Sequence, residues 1–152
     1  MKYKLTITLS MFIAFFTNYT SAQSFSNHVT WHSELEIIST YEAEISMVAT
    51  IEDGWHIYAL HNRVDSPIQM DFNFEPNKSY QLLGEVIQPD PKVKFEKLLG
   101  FNVSYFDTKV KFTQRIKRTG KDGSISGLIE FMACSDTQCL PPQTIDFALI
   151  VN

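Results

Sequence analysis

The chain has 152 residues, 44% hydrophobic and 13% aromatic with 12 Phe, and a formal net charge of -4. That acidic balance argues against nucleic acid, whose phosphates call for a basic face. With an export signal set aside, about 130 residues remain, enough for one domain with its own core.

The chain opens with "MKYKLTITLSMFIAFFTNYTSAQS". Lys2 and Lys4 make a positive start, Leu5 to Phe16 is largely apolar, and Thr20-Ser21-Ala22 places small residues where a signal peptidase reads. This is the pattern of a secretory signal peptide over residues 1–22, with cleavage near Ala22 and a mature domain over 23–152 that is periplasmic or secreted. A bilayer span takes roughly twenty apolar residues, and Thr6, Thr8 and Ser10 interrupt this run. No later stretch is long enough, so no membrane span is expected in the mature chain.

Strand then follows strand. Ala43, Ile45, Met47, Ala49 and Ile51 alternate with Glu44, Ser46, Thr50 and Glu52, which predicts one buried and one wet face. Asp53-Gly54 marks a turn, and Trp55 to Leu60 continues as a second, more apolar strand. Ile68, Met70, Phe72 and Phe74 alternate again. Residues 88–106, "QPDPKVKFEKLLGFNVSYF", break the pattern with two prolines and mixed charge, and are expected to form a long loop. Val110, Phe112 and Ile116 then face one way, with a basic stripe of Lys109, Lys111, Arg115, Lys117 and Arg118 on the wet face. "TGKDG" at 119–123 reads as a hairpin turn. Ile125, Ile129 and Phe131 point inward, and Ile145, Phe147, Leu149 and Val151 close the chain. Many short strands without a sustained helical period predict an all-β, immunoglobulin-like antiparallel β-sandwich in a single domain.

The only two cysteines lie in "FMACSDTQCLPP", residues 131–142. Three readings of Cys134 and Cys139 are open. As a structural disulfide the pair closes a loop of about six residues, for which the chain-entropy gain is about 2 kcal/mol, against about 4.7 for a hundred-residue loop. Stability alone accounts for it poorly. As a redox pair it has what exchange needs, namely one thiolate to attack a disulfide and a second to resolve the mixed disulfide. Pro141 and Pro142 stiffen the exit from the turn. As a Cu(I) or Zn(II) site it lacks companions at a usual spacing, since His28, His32, His56 and His61 lie far off in sequence.

These stretches carry a family resemblance. "DGWHIYAL" at 53–60, "SPIQMDFNF" at 66–74, "VSYFDTKVKFTQRI" at 103–116 and above all "GLIEFMACSDTQCLPPQTIDFAL" at 127–149 resemble the N-terminal periplasmic domain of the DsbD thiol:disulfide interchange proteins, in the family's order. The resemblance implies an immunoglobulin-like sandwich whose cysteine pair cycles between dithiol and disulfide without a cofactor or metal. It implies electrons taken from a membrane-embedded thiol reductase and handed to exported thiol-disulfide proteins. Cys139 would then be the nucleophile and Cys134 the resolving thiol. The family's cap over the pair corresponds to "FEKLLG" at 95–100, with Leu98 at the tip where the family usually has Phe, and with Glu96 beside it as either an electrostatic brake on thiolate formation or plain surface charge. His56 and Tyr58 align with aromatic positions next to the site. A protonated His56 would lower a nearby thiol pKa, or it packs on the sandwich edge. Tyr58 would offer its hydroxyl to a sulfur or a loop carbonyl, or simply pack. Trp55 is expected in the core.

The family's proteins continue into a membrane bundle and a thioredoxin-like domain, whereas this chain ends at Asn152. The expectation is therefore a separately encoded reductase or another use of the domain. Whether the domain acts as a protein-disulfide reductase component, as a non-catalytic immunoglobulin-like binding module with an inert disulfide, or as a copper-binding protein is left open by the residues alone.

Overall fold

A computed structural model describes residues 28–60, 70–119 and 123–151. The expected signal peptide, His61, Ile68 and the centre of the 119–123 turn lie outside those residues. Every regular element among them is a strand: β1 (Val29–Ile37), β2 (Glu42–Ile51), β3 (Trp55–Tyr58), β4 (Asp71–Phe74), β5 (Tyr80–Ile87), β6 (Lys92–Glu96), β7 (Phe101–Phe106), β8 (Lys109–Arg118), β9 (Gly123–Phe131), β10 (Ala133–Ser135) and β11 (Gln143–Val151). They form three sheets in the orders β1-β2-β8-β5, β10-β3-β7-β6 and β11-β9-β4. All pairings are antiparallel. The architecture is the immunoglobulin-like antiparallel sandwich that the strand pattern predicts.

Alternation decides which side chains meet. On β2, Ala43, Ile45, Met47 and Ala49 are buried, and on β8 Val110, Phe112 and Ile116. Ile125, Ile129 and Phe131 of β9 and Phe147 of β11 face them across the same core. Trp31 of β1 ties the layers together, with ring centroids 5.9 Å from Phe112, 6.1 Å from Phe72 and 5.5 Å from Phe131. Phe106 of β7 meets Phe112 edge to face at 5.7 Å and joins the β10-β3-β7-β6 sheet to this core.

Three expectations need correction. The hairpin expected around 119–123 does not form, because β8 and β9 do not pair and enter different sheets. Both strands carry an apolar face, and each covers the other's only from the opposite layer. The turn expected at Asp53-Gly54 is present, closed by Trp55 N–H donating to the Glu52 carbonyl at 3.0 Å with Gly54 at φ 82°, and it carries the chain from one sheet to another. Arg118 sits on the buried side of β8, not on the wet stripe, because it shares parity with Ile116.

The third correction bears on function. Residues 92–106 are not a long loop but a β-hairpin, with β6 and β7 in register from Lys92↔Tyr105 to Glu96↔Phe101. Lys97-Leu98-Leu99-Gly100 is its turn, and Gly100 adopts φ 78°, the left-handed conformation that glycine reaches most readily. On β6 the usual polarity is reversed: Val93 and Phe95 face solvent, whereas Lys94 and Glu96 face inward.

Candidate functional site

Cys134 lies in β10, and Cys139 stands opposite in an isolated antiparallel bridge. Ser135 N–H donates to the Gln138 carbonyl at 2.7 Å, and Leu140 N–H to the Ala133 carbonyl at 2.9 Å. These bonds bracket the cysteines, so the pair occupies a non-hydrogen-bonded position, where side chains across an antiparallel ladder stand closest. Their Cα atoms are 4.0 Å apart and the sulfurs are bonded. Ser135 Oγ accepts from the N–H groups of Thr137 and Gln138 at 3.4 and 3.2 Å, a local use of serine that shapes the tight turn.

The two sulfurs are not equivalent. Cys134 is 0% exposed, packed with Tyr58 and Val103 in a small cluster separate from the main core. Cys139 is half-buried at the edge of that cluster. The Tyr58 hydroxyl donates to Cys134 Sγ at 3.2 Å and lies 3.9 Å from Cys139 Sγ. Burial, reinforced by the charge of Glu96, pushes the Tyr58 pKa up, so the hydroxyl stays protonated and remains a donor.

His56 is opposite Cys134 in the β3–β10 register, which sequence distance conceals. Its ring meets those of Tyr58 and Tyr105 edge to face at 5.4 and 5.5 Å. Both ring nitrogens engage charges of the β6–β7 hairpin. Nδ1 lies 3.5 Å from Lys94 Nζ, and Nε2 lies 3.3 Å from Glu96 Oε2. Burial, then the Lys94 ammonium, hold the His56 pKa below its ordinary value despite Glu96 and Asp136. The imidazole is thus set up as a neutral group between two charges, not as a protonated partner of a thiol.

Glu96 is buried, not plain surface charge. Burial favours its neutral form, but the Lys94 ammonium at 3.2 Å, the backbone N–H of Leu98 and His56 outweigh that and keep its pKa below the ordinary carboxyl value. A cleft of about 400 Å³ opens alongside, lined by Trp55, His56, Lys94, Tyr105, Asp107 and Asp136 among others. Among the described residues, no group of three or more His, Cys, Asp or Glu side chains is arranged to hold a metal ion.

The family model described as "Thiol:disulfide interchange protein DsbD, N-terminal" matches residues 28–150. The chain belongs to this family. Among solved structures, the reduced DsbD N-terminal domain of Neisseria meningitidis superposes with a TM-score of 0.52 at 14% identity, over 78% of this chain and 82% of that one. The N-terminal periplasmic domain of ScsB from Proteus mirabilis gives a TM-score of 0.59 at 17% identity, over 82% of this chain and 46% of that one. At such identities the likeness speaks for the fold. Among curated proteins none matches. Family and bonded cysteine pair together make this a thiol–disulfide interchange domain.

The residues that align with the cap of DsbD N-terminal domains are placed differently from expectation. Leu98 is at the turn but 51% exposed, whereas Leu99 and Phe101 pack on the cluster that holds Cys134. The turn residue packed on that cluster is therefore Leu99, one position after Leu98. Trp55 is half-buried against the core and stacks on His28 at 3.8 Å. Lys94 and Tyr105 were not singled out by sequence, yet the Lys94 ammonium sits 5.0 Å above the Tyr105 ring. The signal was present in β6, where two charged residues at alternate positions share a face.

Proposed function

We propose that this domain relays reducing equivalents by exchanging its Cys134–Cys139 disulfide with other proteins after export and cleavage near Ala22. The observation that carries the reading is the asymmetry of the pair: Cys139 is half-buried beside a two-residue turn, and Cys134 is enclosed behind it under the Tyr58 hydroxyl. Of the two sulfurs, Cys139 is the one an incoming sulfur would reach first.

In the dithiol state the Cys139 thiolate attacks one sulfur of a partner disulfide. A Cys139–partner bond forms, the partner's S–S bond breaks, and one partner thiolate leaves and takes up a proton. Cys134, as thiolate, then attacks Cys139 Sγ. The intramolecular disulfide re-forms and the second partner thiol departs. The partner has gained two electrons and two protons, and the domain has lost them. Reversal by a dithiol of a membrane-embedded reductase recharges the pair. No cofactor enters the sequence. His56, Tyr58, Glu96 and the 95–100 segment with Leu98 shape the surroundings of the sulfurs and do not themselves exchange bonds.

The test is a Cys134→Ala variant, which keeps the attacking thiol and removes the resolving one. A partner-linked mixed disulfide at Cys139, released by reductant, is the expected result. A pair whose reduction potential lies well below about -300 mV, the range of structural disulfides, with no mixed disulfide trapped at Cys139, would show an inert brace in a binding module and refute the relay.

A further inference from the structure

The hairpin that packs on the Cys134 cluster turns two of its charged residues inward. Lys94 and Glu96 project inward from β6, and the ammonium of Lys94 touches three elements at once. It lies 3.5 Å from His56 Nδ1 on β3, 3.2 Å from Glu96 Oε2 on β6 and 5.0 Å above the Tyr105 ring on β7. Glu96 in turn anchors the turn. Its carbonyl accepts from the N–H groups of Leu99 and Gly100 at 3.2 and 2.8 Å, and its carboxylate from the N–H of Leu98. Leu99, held by those bonds, packs on the cluster containing Cys134. A continuous set of contacts therefore runs from β3, beside Cys134, through Lys94 and Glu96 to the turn.

The cluster is also incompletely satisfied. The ion pairs are close, but neither His56 Nε2 nor Glu96 Oε2 has a well-directed hydrogen bond. Buried polar atoms left in that condition oppose the closed arrangement, and opening would hydrate all three groups. Removing one partner from such a group leaves a buried charge uncompensated, which is the strongly unfavourable change.

We infer that Lys94 is a positioning residue for thiol–disulfide exchange, its ammonium bridging His56 and Glu96 so that the 97–100 turn stays closed over the Cys134–Cys139 pair until a docking protein breaks the bridge. The inference rests on the relay reading for its purpose, but the bridge itself can be tested without a protein partner.

The experiment measures the rate at which dithiothreitol reduces the Cys134–Cys139 disulfide in the full chain, at fixed pH, as a report of access to Cys139. Lys94→Met keeps the length of the side chain and removes its charge. Reduction is expected to quicken roughly tenfold, well below the hundredfold or more that loss of a partner from a fully buried pair implies, because the Lys94 side chain is 25% exposed. Glu96→Gln should quicken it as well, and Lys94→Arg should restore the slow rate, a rescue that a loss of packing alone would not show. Thermal unfolding of each variant identifies one that has lost its fold, in which case the other member of the pair decides. Wild-type rates in the folded variants, or an Lys94→Arg variant as fast as Lys94→Met, would overturn the inference. Neither result depends on the Cys134→Ala trap, so failure of the bridge and failure of the relay are told apart.

Discussion

Replacing Tyr58 with Phe removes one atom that matters and keeps the ring that fills the cluster. The lost hydroxyl is the donor at 3.2 Å from Cys134 Sγ, in a site with Tyr58 1% exposed. A hydrogen bond to a charged acceptor contributes about 1.5–3 kcal/mol and one to a neutral acceptor about 0.5–1.5. The hydroxyl therefore favours the Cys134 thiolate over the thiol by about 1.4 kcal/mol, or one pKa unit. Without it, the thiolate fraction near neutral pH falls about tenfold. The thiolate that does form is about threefold more nucleophilic, for a Brønsted coefficient near 0.4–0.5. The net expectation is that resolution by Cys134 slows about threefold. Reaction of the reduced protein with a limiting aromatic disulfide releases one chromophoric thiolate when Cys139 attacks and a second when Cys134 resolves, so the two steps separate in time. Tyr58→Phe should slow the second release and leave the first alone. An unchanged second phase, or equal slowing of both, would refute the assignment of this hydroxyl to Cys134.

Two further outcomes follow from the same contacts. His56 and Glu96 both have folded-state pKa values held below their ordinary 6.5 and 4.5, so the unfolded chain binds more protons and the closed hairpin loses stability as pH falls. The loss should begin below about 6.5 with His56, which faces Lys94, Glu96, Asp136, Tyr58 and Tyr105, and deepen below about 4.5 with Glu96; a flat thermal midpoint and unmoved Leu99 methyl resonances between about pH 7 and 4 would contradict it. Reduction of the disulfide should leave the domain folded, since the cysteines are only 5 positions apart and a loop that short contributes about 2 kcal/mol; urea titrations of both redox states measure the difference, and unfolding on reduction would show a bond essential to the fold.

Much of the sandwich was legible because its strands alternate so regularly. Ile45 with Met47, Phe112 with Ile116 and Ile125 with Ile129 each announce a buried face two residues at a time, and the sulfur pair stands out by its spacing before Leu140-Pro141-Pro142. The sheet assignments were not legible, because a turn reverses the chain without stating which layer receives it; β8 and β9 look like hairpin arms and are not. The 92–106 hairpin was hidden for a sharper reason. Its inward residues are Lys94 and Glu96 and its outward ones Val93 and Phe95, so a reading that equates apolar with buried inverts the strand and discards it. Leu98 came from matching the tip of the family's cap, whereas Leu99 is the residue of that turn packed on the Cys134 cluster. His56 was visible as a neighbour of the site, but its register opposite Cys134 and its tie to Lys94 come only from the fold.

Tyr58, Val103 and Cys134 keep apart from the large apolar cluster around Ile45 and Phe112. The sulfurs thus occupy an annex to the main frame, and the two share strands: Ile57 and Ala133 belong to the frame while Tyr58 and Cys134, the next residues, belong to the annex. A substitution that stays within the annex changes the surroundings of the disulfide and leaves the larger apolar packing in place.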